Sequence, residues 1–414
     1  MKQRARSILI YCGDVVGLGH QRRNLAIASR LVEEIPELDV LMLTSQPAGF
    51  LDCPDRVDLI KLPSLTKSAE GVLGPRTLSL QLDQLSRLRR RIIEGVAATL
   101  RPDLVLVDHH PIGVWGELAP SLRGWRRSPR GPCVVLGVRD ILDDPARTVQ
   151  TWRRDGIYRA ISRCYDAVLI YGAEEVFDTK RHYRLEEETG VPAHYCGYVC
   201  SENGGGGADD GTARHGLGLT ARKVAVATAG GGADGYPMMK LCLDALRLIG
   251  GSQDLELVCI TGPLMRRGQI EDLRRRAADL PARIVWCVDH LPSYLRAADV
   301  LLTMAGYNSI LETMRLRKPT IVLPRRGPSA EQRLRAERLA ERRIVRAIGD
   351  GERTPEDLAR VIGELLVAPT PVAMLPPMNG VDQAVGRLRG FLDQRTSRPW
   401  GVPWSLRPAA EQVV

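Results

Sequence analysis

Short apolar runs of strand length alternate with longer stretches of helical periodicity along most of the chain. Ser7–Cys12, Leu38–Thr44, Val57–Leu62, the core of RPDLVLVDHHP, the CVVLGVR segment and Ala167–Tyr171 are near-continuous hydrophobic runs, and a seventh lies near Ala193–Gly197. Amphipathic stretches separate them, beginning after Gly19 and again over Leu78–Leu100. Strands apolar on both faces and alternating with helices predict a parallel sheet covered on both sides. The rhythm restarts at Lys223–Thr228, a helix Met238–Leu248, and strands Leu255–Thr261 and Arg283–Val288. A strand ending at Leu302, a helix from about Asn308, a strand Pro319–Leu323 and a helix bearing Glu331 and Gln332 follow. A short strand, a helix capped by Thr354 with Glu356 in its first turn, and an amphipathic helix Gly380–Arg395 end the pattern.

The stretch SENGGGGADDG interrupts this pattern and reads as a flexible linker. The predicted organisation is an N-terminal domain over 1–200, a Gly-rich linker over 201–222, a second domain over 223–379, and a helix and tail over 380–414. The fold class is α/β, with two doubly wound, Rossmann-like parallel-sheet domains facing a cleft, where ligands bind preferentially. Pro63–Thr77 is polar, marked by Gly and Pro, and long for a connector. The tail with Trp400 and Trp404 is Pro-rich and reads as packing on the first domain or touching a partner.

Composition narrows the class. Of 414 residues, 44% are hydrophobic and 26% charged, which is globular, and no apolar run is long enough to span a bilayer. The basic start is followed by a strand rather than a signal segment, so a cytoplasmic protein is expected. The nine cysteines are scattered and include no CxxC pair, which reads as buried thiols rather than a disulfide frame or zinc site. Net charge is +9, supplied mainly by arginine, and suits phosphate-rich ligands, anionic membranes or nucleic acid. With 5% aromatic residues and no basic–aromatic alternation, a single-strand nucleic-acid platform is disfavoured. The arginines of the second helix (Arg87, Arg89, Arg90, Arg91) read as a solvated face, with binding to anionic lipid as the alternative.

Candidate chemistry gathers at predicted strand ends. Gly13, Gly17 and Gly19 sit between the first strand and helix but lack the dinucleotide fingerprint spacing, which argues against an NAD(P) enzyme. His20 lies at that junction, followed by Arg22 and Arg23. A neutral imidazole there can take a proton from a hydroxyl, or simply cap the helix. Asp108, His109 and His110 end another strand, where an Asp–His pair can orient a proton acceptor. Arg139, Asp140, Asp143 and Asp144 follow the next strand. In the second half, Gly230, Gly231 and Gly262 mark turns after strands. Ser309 and Glu312 lie in the first turns of a helix, and Arg325 and Arg326 follow a strand; all suit a nucleoside diphosphate.

The spacing Gly306-x-x-Ser309-x-x-Glu312, a strand ending in Pro, and the Glu331–Gln332 pair resemble the donor half of GT-B nucleotide-sugar glycosyltransferases. The family includes the bacterial enzyme that adds N-acetylglucosamine to the peptidoglycan lipid intermediate. GYNSILE, PRRGPSAEQRLRAERL and RDILDD are more similar to a poorly characterised group of predicted glycosyltransferases beside it. The resemblance implies that Glu312 holds ribose, that Glu331 and Gln332 hold donor-sugar hydroxyls, and that Val288–Leu291, with His290, hold the base. It implies that Gly306 and Asn308 belong to the donor site. It also implies that the loop of Gly17, Gly19 and His20 faces the acceptor, beside Arg22, Arg23, Arg139 and Asp140, and that the last helix crosses back to the first domain.

The resulting expectation is a transfer of sugar from a nucleotide-diphosphate sugar, UDP-linked by preference, to a small-molecule or lipid-linked acceptor. His20, Asp108 and His109 are the catalytic candidates. No Asp-x-Asp triplet occurs, so no metal or other cofactor is expected. Nucleic acid is not an expected partner, and peripheral association with the inner face of the membrane is left open. Tyr307 and Asn308 depart from the peptidoglycan enzyme's pattern, so its acceptor is not carried over. The alternatives are a nucleotide-sugar epimerase of the same fold and a non-catalytic nucleotide-sugar or nucleic-acid binding protein.

Overall fold

A computed structural model describes residues 5–13, 19–46, 53–67, 73–200, 210–250, 254–288, 290–327, 329–367 and 374–396. Gly17, most of the Gly-rich segment after Cys200, and the tail with Trp400 and Trp404 lie outside the described residues. The chain divides into two compact units, Met1–Ser201 with Asn379–Val414, and Glu202–Met378.

In the first unit the strands are β1 (Arg6–Tyr11), β2 (Leu38–Thr44), β3 (Val57–Lys61), β4 (Leu65–Lys67), β5 (Leu73–Pro75), β6 (Leu104–Asp108), β7 (Cys133–Arg139), β8 (Ala167–Tyr171) and β9 (Ala193–Tyr195). Seven form a parallel sheet in the order β3-β2-β1-β6-β7-β8-β9. The residues of β6 and β8 are buried throughout, as continuous apolar runs between two helical layers require. The segment Pro63–Thr77 is more than a polar connector, because β4 and β5 pair antiparallel within it.

The Gly380–Thr396 helix belongs to this unit: Ala384, Val385, Leu388 and Leu392 are buried, and Arg30 of the Gly19–Glu34 helix pairs with Asp382 at 3.1 Å. Gly380 is required here, since a Cβ would lie 2.4 Å from the Tyr198 carbonyl carbon.

The second unit contains β10 (Lys223–Thr228), β11 (Leu255–Ile260), β12 (Ala282–Val285), β13 (Val300–Thr303), β14 (Thr320–Val322) and β15 (Arg346–Ala347). They form one parallel sheet, ordered β12-β11-β10-β13-β14-β15. Cores lie on both faces. One packs the helices Tyr236–Ile249, Arg267–Ala277 and Pro355–Val367, the last begun by Thr354, whose hydroxyl accepts from the Asp357 N–H at 3.1 Å. The other includes Ala213, Leu219 and Leu295. The Asp210–Gly216 helix therefore stands where the sequence reads as linker, because Ala213 and Leu219 are buried against the sheet.

Both sheets reverse strand order once, between β1 and β6 and between β10 and β13. Such switch points open a crevice beyond the carboxyl ends of the strands. Six cysteines are buried, but Cys53 and Cys287 are exposed and Cys200 is half-buried, so the expected buried set is incomplete. Among the described residues no helix is long and apolar enough to cross a membrane, and no His, Cys, Asp or Glu cluster suits a metal.

Candidate functional sites

The first site forms at the β1/β6 switch point. Asp108 ends β6 with no exposed surface, and His20 reaches it from the first turn of the Gly19–Glu34 helix. His20 Nδ1 lies 2.6 Å from Asp108 Oδ2, and Arg23 Nη2 donates to Oδ1 at 2.7 Å and Oδ2 at 2.9 Å. Arg23 Nη2 is also 3.0 Å from His20 Nδ1. Two donors cannot bond each other, so Nδ1–H is assigned as donating to Asp108, which leaves Nε2 unprotonated, an acceptor. Burial lowers the pKa of His20, opposed by the Asp108 charge, so the imidazole is neutral near pH 7. Asp108 is held far below the ordinary carboxylate range: burial works against ionisation, but Arg23 and His20 outweigh it.

The close approach of β1 and β6 ends needs Gly13, where a Cβ would meet the Asp108 carbonyl oxygen at 2.2 Å and the His110 ring at 2.9 Å. His109 adopts φ +69°, a left-handed conformation that costs about 1–2 kcal/mol outside glycine. Its ring stands 5.1 Å from His20 and 4.7 Å from His110. Burial lowers the pKa values of His109 and His110, that of His110 to about 4. Asp108 thus pairs with His20 rather than its sequence neighbour His109. Among the acceptor candidates, Gly19 opens the helix and Arg22 is exposed on it. Arg139 ends β7, and its charge helps depress His109. Asp140 is turned inward, accepting from Ile141 N–H at 2.8 Å and Tyr198 hydroxyl at 3.2 Å. Asp144 caps the Pro145–Arg154 helix through the Arg147 N–H at 2.9 Å.

Behind this site sits a network that the sequence reading misplaced. Arg87 and Arg91 are exposed, but Arg89 has no exposed surface. It pairs with buried Glu117 at 2.9 Å and donates to Ser45 Oγ at 2.9 Å and Pro63 carbonyl at 2.8 Å. Tyr11 hydroxyl donates to Glu117 at 2.7 Å. Helical periodicity places Arg89 on the apolar face with Leu85 and Ile93, which was the available signal.

The second site forms at the β10/β13 switch point. Gly230 and Gly306 stand in the loops after those strands, and Ser309 lies in the Tyr307–Arg315 helix. Ser309 Oγ is 3.0 Å from where a Gly230 Cβ would stand, and Gln332 Nε2 and Ser309 Oγ are each 3.9 Å from that of Gly306. Gln332 Oε1 accepts the Arg325 N–H at 3.0 Å, which orients the amide and leaves its NH₂ toward Gly306. Gly262 at φ +81° is required by loop packing, since its Cβ would lie 2.3 Å from the Gly230 carbonyl oxygen. Gly231 packs beside Leu264 and accepts its N–H at 2.8 Å. Asn308 and Glu312 are half-buried on the same helix.

Arg325 and Arg326 diverge. Arg325 reaches Asp234 in the β10 loop at 3.1 Å, whereas Arg326 pairs with Asp350 at 3.1 Å, both partners 66% exposed. Glu331 is nearly buried and pairs at 3.0 Å with Arg335, which donates 2.9 Å to the Ala305 carbonyl. Ala305 has φ +61°, so fully buried Arg335 pins a strained turn next to Gly306. Arg335 went unnoticed in the sequence, although its i+4 spacing from Glu331 was legible. Val288 packs on the core, and His290 contacts Ser293 Oγ at 2.8 Å at the start of a short helix. Trp286 was also missed: it follows β12 and stays 53% exposed, an aromatic face beside the segment expected to hold a base.

Residues 228–378 match the model of the glycosyltransferase family 28 C-terminal domain. An uncharacterized glycosyltransferase of Methanopyrus kandleri is 25% identical over 170 residues, covering 41% of this chain and 46% of that protein; the chain therefore matches about half of that relative's length. Among solved structures, Acinetobacter baumannii MurG superposes with TM-score 0.57 at 14% identity over 93% of this chain and 99% of that one. Medicago truncatula UGT71G1, complexed with UDP-glucose, gives 0.60 at 13% identity over 95% and 98%. The fold is GT-B, and the family resemblance drawn from Gly306–Ala336 holds.

Proposed function

We propose that this chain, whose second unit carries a glycosyltransferase family 28 C-terminal domain, moves a sugar from a nucleotide-diphosphate sugar, UDP-linked, to an acceptor hydroxyl without a metal. The observation that carries this reading is the 2.6 Å contact between His20 and Asp108 at the first switch point. The acceptor oxygen attacks the anomeric carbon as the bond from that carbon to the diphosphate breaks. His20 Nε2 takes the hydroxyl proton, and Asp108 steadies the imidazolium that forms. Negative charge gathers on the leaving diphosphate. The N–H groups at the start of the Tyr307–Arg315 helix and Arg325 answer it, and such preorganised donors are large contributors to catalysis. Glu312 takes the ribose hydroxyls, Gln332 NH₂ and Glu331 the sugar, and Trp286 stacks on the base.

The solved Medicago truncatula UGT71G1, which holds UDP-glucose, supports the donor assignment. The test is incubation with a UDP-sugar panel and pooled acceptors, in EDTA, with product analysis by mass spectrometry. Transfer accompanied by UDP release is expected. Conversion of UDP-sugar without acceptor or UDP release would assign an epimerase instead. Affinity that collapses steeply with salt would assign a phosphate-backbone binder.

A further inference from the structure

The first unit contains a pocket of about 480 Å³, a size suited to a small molecule, beside His109 and His110. The ring sequence His20–His109–His110, with its 5.1 and 4.7 Å steps, leads to it from the His20–Asp108 pair. Ile112 and Trp115 wall it from the loop after β6, Leu142 and Trp152 from the segment after β7.

Both walls are preformed. Glu117, fixed by Arg89 and Tyr11, accepts the Trp115 N–H at 2.7 Å, and Tyr11 hydroxyl accepts the Val114 N–H at 3.3 Å. On the other side Tyr183 hydroxyl accepts from Leu142 N–H at 3.0 Å and donates to the Asp143 carbonyl at 2.7 Å. The buried Arg89–Glu117 pair thereby has a role, since it positions the loop that carries Trp115.

The charge of the lining is informative. Among the described residues no lysine or arginine lines this pocket, while Asp143 and Asp155 do. The two histidines are uncharged near pH 7, burial being the main cause. A phosphate here would shed water next to two carboxylates, with no cation in the described lining; Arg139 acts on the two histidines from outside it. Indole faces instead favour a planar or sugar ring.

We infer that this pocket is the acceptor subsite and that it selects an uncharged, ring-bearing alcohol or phenol over a phosphate-linked acceptor. The inference rests on the transferase reading and adds the acceptor's chemical class to it. Among the described residues His109 Nδ1 is buried without a hydrogen-bond partner, a polar group on the path between pocket and base.

The test is calorimetric titration of the full chain with 4-methylumbelliferone, octyl β-glucoside and 4-methylumbelliferyl phosphate, with UDP as a control. At least one neutral probe should bind with Kd below about 1 mM, and the phosphate ester about tenfold more weakly. Which neutral probe binds more tightly separates an aromatic from a sugar acceptor. Trp152→Ala should weaken the neutral probe about tenfold and leave UDP affinity unchanged. Thr151→Arg, a second variant on the pocket wall, should shift preference toward the phosphate ester.

Equal or tighter binding of the ester, binding of neither neutral probe, or indifference to both substitutions overturns the inference. Transfer to a phosphate-linked acceptor would overturn the subsite while preserving the transferase reading. Neutral-probe binding in a protein that transfers no sugar would do the reverse.

Discussion

The two units share a strand order and a switch point, yet they equip that point in opposite ways. The first fills it with buried charge: Asp108 bound by His20 and Arg23, backed by Arg89 and Glu117. The second lines it with glycines, main-chain groups, Ser309 and the Gln332 amide, and keeps Arg335 beneath as a strut. Parallel-sheet topology supplies a crevice and leaves its chemistry to the residues at the strand ends. A site that moves a proton needs a shifted, oriented titratable group. A site that grips a diphosphate and hydroxyls needs close backbone approach and fixed donors.

That contrast can be broken most decisively at His20. His20→Ala should lower kcat by about 10²- to 10⁴-fold, the usual scale for a lost general base, with UDP affinity by calorimetry unchanged. A near-normal kcat would remove His20 from the base role. The pH profile sharpens the same point. Because His20 is shifted down, activity should rise with pH along an acid limb with its midpoint below 6.5. Asp108→Asn removes the charge that raises His20, so the limb should move lower still while kcat falls.

Stability separates the sites next. Arg89→Met leaves Glu117 buried without its counter-charge and should cost about 3–5 kcal/mol in urea unfolding. A smaller loss in the Arg89→Met/Glu117→Gln double variant would establish the coupling. His110 also makes the fold acid-sensitive. The unfolded chain binds a proton near pH 6.5 that the folded chain refuses until about 4, so this contribution is complete above 6.5 and declines as pH falls through that window. His110→Phe should flatten that part of the stability curve.

In the second unit, Glu312→Ala should weaken UDP binding by about tenfold, near 1.4 kcal/mol, with the melting temperature retained. Unchanged affinity would exclude Glu312 from the ribose. Arg326→Ala should be the mildest change, within about threefold in KM, because its surface pair with Asp350 is worth about 1 kcal/mol or less. Arg325→Ala should exceed it.

The order of elements was legible in the residues themselves. Lys223–Thr228 and Ala167–Tyr171 emerge with the bounds their apolar runs predict, and Thr354 caps its helix. Hydrophobic period and capping chemistry act over a few neighbours, so a linear string carries them. The family resemblance in Gly306–Ala336 was legible too, because the loop and helix that carry it are contiguous.

What the string could not carry is pairing between distant residues. His20 and Asp108 are 88 positions apart, and only the adjacency of β1 and β6 brings them together. Arg89 looked like one of four solvated arginines until Glu117 was found beneath it. Arg326 looked equivalent to Arg325 until Asp350 drew it away. Local sequence gives each side chain its type and its position along an element. Which charges are desolvated, and against what, depends on the packing of elements remote in the chain, and on that depends which groups can do chemistry.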